Sequence, residues 1–148
     1  MAPAQAADIS VTTASDTSSI FEQYGTSSNP AIVSLLVRSY FEDTPVLGEI
    51  AKCESQFTQF NKNGTIHRGV VNSKDVGVMQ INEHYHLSTA KQLGYDIYTL
   101  QGNMDYAKHL YDEQGVAPWS ASASCWKKTA RLLEAKAHVS SDLASATR

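Results

Sequence analysis

Two carboxylates, Glu54 and Asp75, lie 21 positions apart, each in a run of small, apolar and amide side chains. Glu54 stands in Cys53-Glu54-Ser55-Gln56-Phe57, beside a small hydroxyl at the end of an apolar stretch. Asp75 opens Asp75-Val76-Gly77-Val78-Met79-Gln80-Ile81-Asn82, in which a glycine and two amides follow the acid. A short hairpin bridges such a separation and folds the two segments against each other. Cleavage of a glycosidic bond uses parts of this kind. It needs a proton donor held at raised pKa, a second group near the developing positive charge, and amides that grip sugar hydroxyls. Two carboxylates occur in every soluble protein, and taken alone these read first as solvated surface acids.

The elements that must position them are legible from local signals. Asn29-Pro30 reads as a helix start, with Asn as cap and Pro at the first position. Ile32, Val33, Leu36, Val37 and Tyr40 then follow helical spacing. Thr44-Pro45 repeats the signal, and Val46, Leu47 and Ile50 form the apolar face of a second helix. Glu54 falls four residues after Ile50, on the buried side near the helix end, where desolvation raises a carboxyl pKa. The stretch 58–74 is polar, with Asn63-Gly64 as a turn and alternation over Thr65–Val71 that predicts a small hairpin. Gly77 to Ile81 is expected to begin the next helix, with Asp75 then available as its cap. Further helices are expected near Ser88–Leu93, over Gly102–Gln114 with Gly115 as its stop, and over about Cys125–Leu143. The fold class is therefore mainly α with a small β element. Residues 1–28 are rich in Ala, Ser and Thr and read as a flexible lead, with Ile20, Phe21 and Tyr24 as candidates to dock on a domain spanning 29–148.

Bulk properties narrow the function classes. A chain of 148 residues fits one domain with its own core. The net charge of −3 and the lack of a basic tract argue against nucleic acid as a partner. No apolar run approaches the length of a membrane span. His67, His84, His86, His109 and His138 lack companion ligands at metal spacing, so they read as solvated loop histidines. No metal or other cofactor is expected. Cys53 and Cys125 are either buried free thiols or a disulfide, and a disulfide would imply an oxidising compartment. The Ala4–Ala6 segment is either the scar of a cleaved export signal or an ordinary Ala-rich terminus.

Glu54-Ser55-Gln56-Phe57 followed by Gly77-Val78-Met79-Gln80-Ile81-Asn82 resembles the lysozyme-like superfamily. Within it the pattern is similar to soluble lytic transglycosylase domains and animal-type lysozymes, over roughly residues 44 to 126. The resemblance implies an α+β lysozyme-like fold, with a helical domain and a small hairpin beside an active-site cleft. It makes Glu54 the catalytic acid. It makes Ser55, Gln80 and Asn82 sugar-binding groups, with Met79 lining the cleft. Asp75 matches an acid of animal-type lysozymes and some transglycosylases, as an electrostatic partner or simply a cap. Tyr106, in a stretch similar to the family's later helix, faces either core or cleft. Trp119 is either a stacking platform or a core aromatic, and Trp126 is expected in the core. Cys53, with Trp119 and Cys125-Trp126, is similar to resuscitation-promoting factors, which implies a Cys53–Cys125 disulfide. The chain departs from the family's Tyr-Asn-Ala-Gly segment, whose Tyr touches the acid. It has Trp119-Ser120-Ala121-Ser122-Ala123-Ser124 in its place, which leaves the reaction type open. The expected activity is cleavage of the β-1,4 bond between N-acetylmuramic acid and N-acetylglucosamine in peptidoglycan. It would be transglycosylation ahead of hydrolysis, by an extracytoplasmic monomer whose partner is the glycan strand. A non-catalytic wall-binding module is the alternative from a different class.

Overall fold

A computed structural model describes residues 14–146. The described chain is mainly helical with one two-stranded antiparallel sheet, as expected. In order it forms α1 (Ala14–Tyr24), α2 (Pro30–Tyr40), α3 (Pro45–Ser55), β1 (Asp75–Val76), β2 (Ile81–Asn82), α4 (Glu83–Gln92) and α5 (Leu100–Gln114). A 3-10 helix, Ala117–Ser122, then leads into α6 (Ala123–Ala146).

The two Pro-initiated helices start where local chemistry places them. Asn29 Oδ1 accepts from the Ala31 amide at 3.0 Å, and Pro30 takes the first turn of α2. Pro45 takes the first turn of α3, while Thr44 makes no side-chain capping hydrogen bond. Helix α2 buries Val33, Leu36 and Val37 against Leu47, Ile50 and Ala51 of α3. Helix α5 supplies Leu100, Met104, Ala107 and Leu110 to the same core. Full burial of such side chains contributes about 1.5–3 kcal/mol each. Cys53 and Cys125 form the disulfide, tying the end of α3 to the start of α6. Closing a loop of 72 residues stabilises by about 4 kcal/mol on the chain-entropy account.

Three expectations need correction. Residues 14–24, read from composition as part of a lead, form helix α1. Phe21 docks edge-on against Tyr40 with ring centroids 6.1 Å apart, while Ile20 and Tyr24 stay largely exposed. The Ala4–Ala6 segment lies outside the described residues. The sheet pairs Asp75 with Asn82 and Val76 with Ile81, rather than forming over 65–71. Only isolated bridges, Phe60 to Ile66 and Arg68 to Val76, touch the stretch where alternation was read. Val70 and Val71 are fully exposed, whereas Val76, Val78 and Ile81 are buried, so the core selects the later residues.

No helix begins at Gly77. The chain turns there with Gly77 at φ +74° and Gln80 at φ +51°. Two buried amides hold the turn in place of strand partners. Gln59 Oε1 accepts from the Val78 amide at 2.7 Å, and Asn103 Oδ1 accepts from the Met79 amide at 2.9 Å. Asn103 Nδ2 donates to the Val76 and Ile97 carbonyls. A Cβ on Gly77 would sit 2.5 Å from Asn103 Nδ2 and 2.6 Å from Gln59 Oε1, so this position needs glycine for both space and conformation. Helix α4 starts only at Glu83, with Asn82 Oδ1 capping the His84 amide.

Candidate active site

Glu54 sits on the last turn of α3, one residue before the helix ends in two left-handed residues, Gln56 (φ 52°) and Phe57 (φ 60°). With Gln80, these are the left-handed non-glycine residues among those described. Backbone strain of this kind persists where surrounding structure over-determines it, and it concentrates at functional sites.

Two adjoining cavities meet at Glu54. One, of about 180 Å³, is lined by Glu54, Asp75, Gln80, Asn82, His86 and Trp119 among others. The other, of about 490 Å³, shares Glu54, Asp75, Gln80 and Ala121 and extends past Ser122 to His67, Val70 and Val71. Together they form a cleft whose shared wall carries Glu54, Asp75, Gln80 and Ala121.

Glu54 is half-buried. Burial pushes its pKa up, a hydrogen bond from Ser122 pulls it down, and the negative charge of Asp75 pushes it up again, with a net rise. Ser122 Oγ donates to Glu54 Oε1 at 2.5 Å. Asp75 Oδ1 accepts from Asn82 Nδ2 at 2.7 Å, across the β1–β2 register pair. A carboxyl whose proton affinity is raised by burial, with a second carboxylate in the same cleft, is the kind of pair that acid-catalysed glycosidic cleavage uses.

The other expected site residues divide. Gln80 lines both cavities; its Nε2 donates to the Gly77 carbonyl, and among the described residues its Oε1 receives no hydrogen bond. Asn82 lines the cleft with both ends of its amide engaged, by the His84 amide and by Asp75. Trp119 is 4 % exposed, donates from Nε1 to the Met79 carbonyl at 3.0 Å, and forms part of the cavity wall as a fixed core aromatic. Trp126 is in the core. Three residues are not in the cleft. Ser55 is buried, and its Oγ donates to the Ala51 and Val78 carbonyls while accepting from the Thr58 amide. It joins the Glu54 helix to the 77–80 turn. Met79 is fully buried, because the turn points its side chain into the core. Tyr106 is buried too, and reaches the cleft only through the 3.0 Å hydrogen bond of its hydroxyl with His86 Nδ1.

Sequence reading overlooked Ser122 and misread His67 and His86. Both histidines are half-buried cleft residues, and burial lowers the pKa of each. His86 carries no local signal; it enters the cleft because α4 starts at Glu83. Ser122 had one available signal. It lies three residues before Cys125, so a disulfide to Cys53 brings it near Glu54. It touches the acid from the segment where the resemblance expects a tyrosine to do so. Among the described residues no group of His, Cys, Asp and Glu is arranged to hold a metal, and no helix is long and apolar enough to cross a membrane. No family model, curated protein or solved structure matches this chain.

Proposed function

We propose that the protein cleaves the β-1,4 bond between N-acetylmuramic acid and N-acetylglucosamine in peptidoglycan, as a lytic transglycosylase. One observation carries the reading: Glu54 is a half-buried carboxyl with raised proton affinity on the wall shared by two adjoining cavities. Protonated Glu54 gives its proton to the leaving O4 as the bond to C1 breaks. The resulting carboxylate takes the proton of the muramic acid 6-hydroxyl as that oxygen closes on C1. The products are a 1,6-anhydromuramic end and a free 4-hydroxyl, and Glu54 is again protonated. One carboxyl suffices, because the substrate supplies the nucleophile. Gln80 Oε1 offers an acceptor to a sugar hydroxyl or amide, and the Trp119 wall gives an apolar surface for a ring. The disulfide fits work in an oxidising, extracytoplasmic compartment.

Hydrolysis is the second reading, and the place of Asp75 beside Glu54 in both cavities favours it. There Asp75 would stabilise or attack the oxocarbenium-like centre, and water would complete the reaction. Mass spectrometry of fragments from purified peptidoglycan separates the two. Wild type should release 1,6-anhydro muropeptides, and Glu54→Gln should release none. Reducing-end muropeptides would mark a muramidase. Equal release by wild type and variant would remove the enzyme reading and leave a wall-binding module.

A further inference from the structure

Among the described residues, Ser122 is the hydrogen-bond partner of the Glu54 side chain, and it reaches only one of its two oxygens. The Ser122 hydroxyl is itself constrained. Trp126 Nε1 donates to Ser122 Oγ at 3.1 Å, which occupies a lone pair and leaves one proton to place. Two acceptors compete for that proton: Glu54 Oε1 at 2.5 Å and the Trp119 carbonyl at 3.1 Å. An ionised carboxylate is the stronger and closer acceptor. The Trp119 carbonyl also lies 3.3 Å from Trp126 Nε1, so the single indole N–H is shared between that oxygen and the nearer Ser122 Oγ. Glu54 follows Cys53 and Trp126 follows Cys125, so the disulfide ties together the two segments that carry the group.

We infer that Ser122 is a positioning residue for Glu54, held as a donor by Trp126, which pins Oε1 and leaves Oε2 as the oxygen that carries the transferred proton. The inference rests on the reading of Glu54 as acid/base. A general acid must present its proton in one direction, and a carboxyl free to rotate about its last bond divides its population between orientations. Binding Oε1 from the protein side removes that freedom. The bond also favours the ionised form, which opposes the effects of burial and of Asp75. The acid then parts with its proton more readily than burial alone would allow. The titratable groups that share the cleft are Asp75 on β1, His67 on the preceding loop and His86 on α4; the 3-10 helix brings only the Ser122 hydroxyl.

The test is a carbon-detected NMR titration of the Glu54 carboxyl in the full chain, for wild type, Ser122→Ala, Ser122→Thr and Trp126→Phe. Ser122→Ala should raise the midpoint, Ser122→Thr should restore it, and Trp126→Phe should raise it part of the way. On peptidoglycan, the alkaline limb of kcat/KM should move to higher pH in Ser122→Ala, with a loss of roughly tenfold or more at the optimum. A folded Ser122→Ala whose midpoint matches wild type overturns the inference. If that variant does not fold, a Trp126→Phe midpoint equal to wild type does the same. The titration uses no substrate, so a failure of the functional reading would show separately, as a wild type that releases no muropeptide.

Discussion

Asp75 acts on Glu54 through its charge, and its own hydrogen bond is to Asn82. That arrangement makes Asp75→Asn a clean probe, because the amide keeps an oxygen for Asn82 and loses only the charge. Without the charge the Glu54 proton is held less tightly. The alkaline limb of the pH–rate profile should therefore move to lower pH, opposite to the direction expected for loss of the Ser122 bond. The size of the rate change decides the mechanism. If the substrate's own hydroxyl is the nucleophile, the optimum rate should fall by less than about tenfold, since only a general acid is being retuned. If Asp75 stabilises or attacks the anomeric centre, the loss should be on the order of 10²–10³-fold. Steady-state assays of the variant across pH, on soluble glycan fragments, give both numbers. The place of Glu54 on the last turn of α3 was legible from its sequence neighbours, because four residues after Ile50 is a fixed place on a helix. The role of Ser122 was not, because its partner is 68 positions away.

At the scale of elements, the β1–β2 turn is what brings Asp75, Gln80 and Asn82 to one side of Glu54. Local signals found the helices, since Asn29-Pro30 starts α2 by a cap and a proline, and Pro45 alone suffices to mark the start of α3. They misplaced the hairpin and began a helix at Gly77. The turn over 77–80 is held by Gln59 and Asn103, which lie 19 and 24 positions from the amides they accept from, and no window of local sequence contains that information. The resemblance puts Met79 and Ser55 in the cleft, and the structure buries both. Their neighbours in sequence are cleft residues, while the backbone turns their side chains toward the core. Gly77→Ala tests the account. The new methyl group meets two buried amides and demands a left-handed backbone. The expected cost is about 2–4 kcal/mol, from backbone conformation and from loss of well-made buried hydrogen bonds. Urea unfolding should show a lower midpoint at similar slope. A variant within about 0.5 kcal/mol of wild type would mean that the amide clamp is looser than its distances indicate.

At the scale of the whole molecule, the site is held against the preference of the fold. A half-buried carboxylate beside a second negative charge, in a chain of net charge −3, is tolerated because the core and the disulfide supply stability elsewhere. The sign of the resulting pH dependence follows from linkage. The folded-state pKa of Glu54 lies above its unfolded value, so between the two the folded chain binds more protons. Stability therefore falls as pH rises from the ordinary glutamate range, about 4.3, through the raised value, and stays lower above it. Below that window Glu54 is neutral in both states and contributes nothing. Glu54→Gln removes the titrating group and keeps its shape and its acceptor for Ser122. The variant should therefore melt at a higher temperature than wild type at neutral pH, and the gap should close as pH falls below about 4.3. Other titrating groups act on both proteins alike and cancel in the difference. Melting curves of the two proteins at matched pH and ionic strength give the comparison. Parallel curves would place Glu54 in water rather than in a desolvated site, and would remove the physical basis for its action as an acid near neutral pH. A gap that opens with pH would show that the fold carries Glu54 at a cost in stability, as expected of a group positioned for proton transfer rather than for packing.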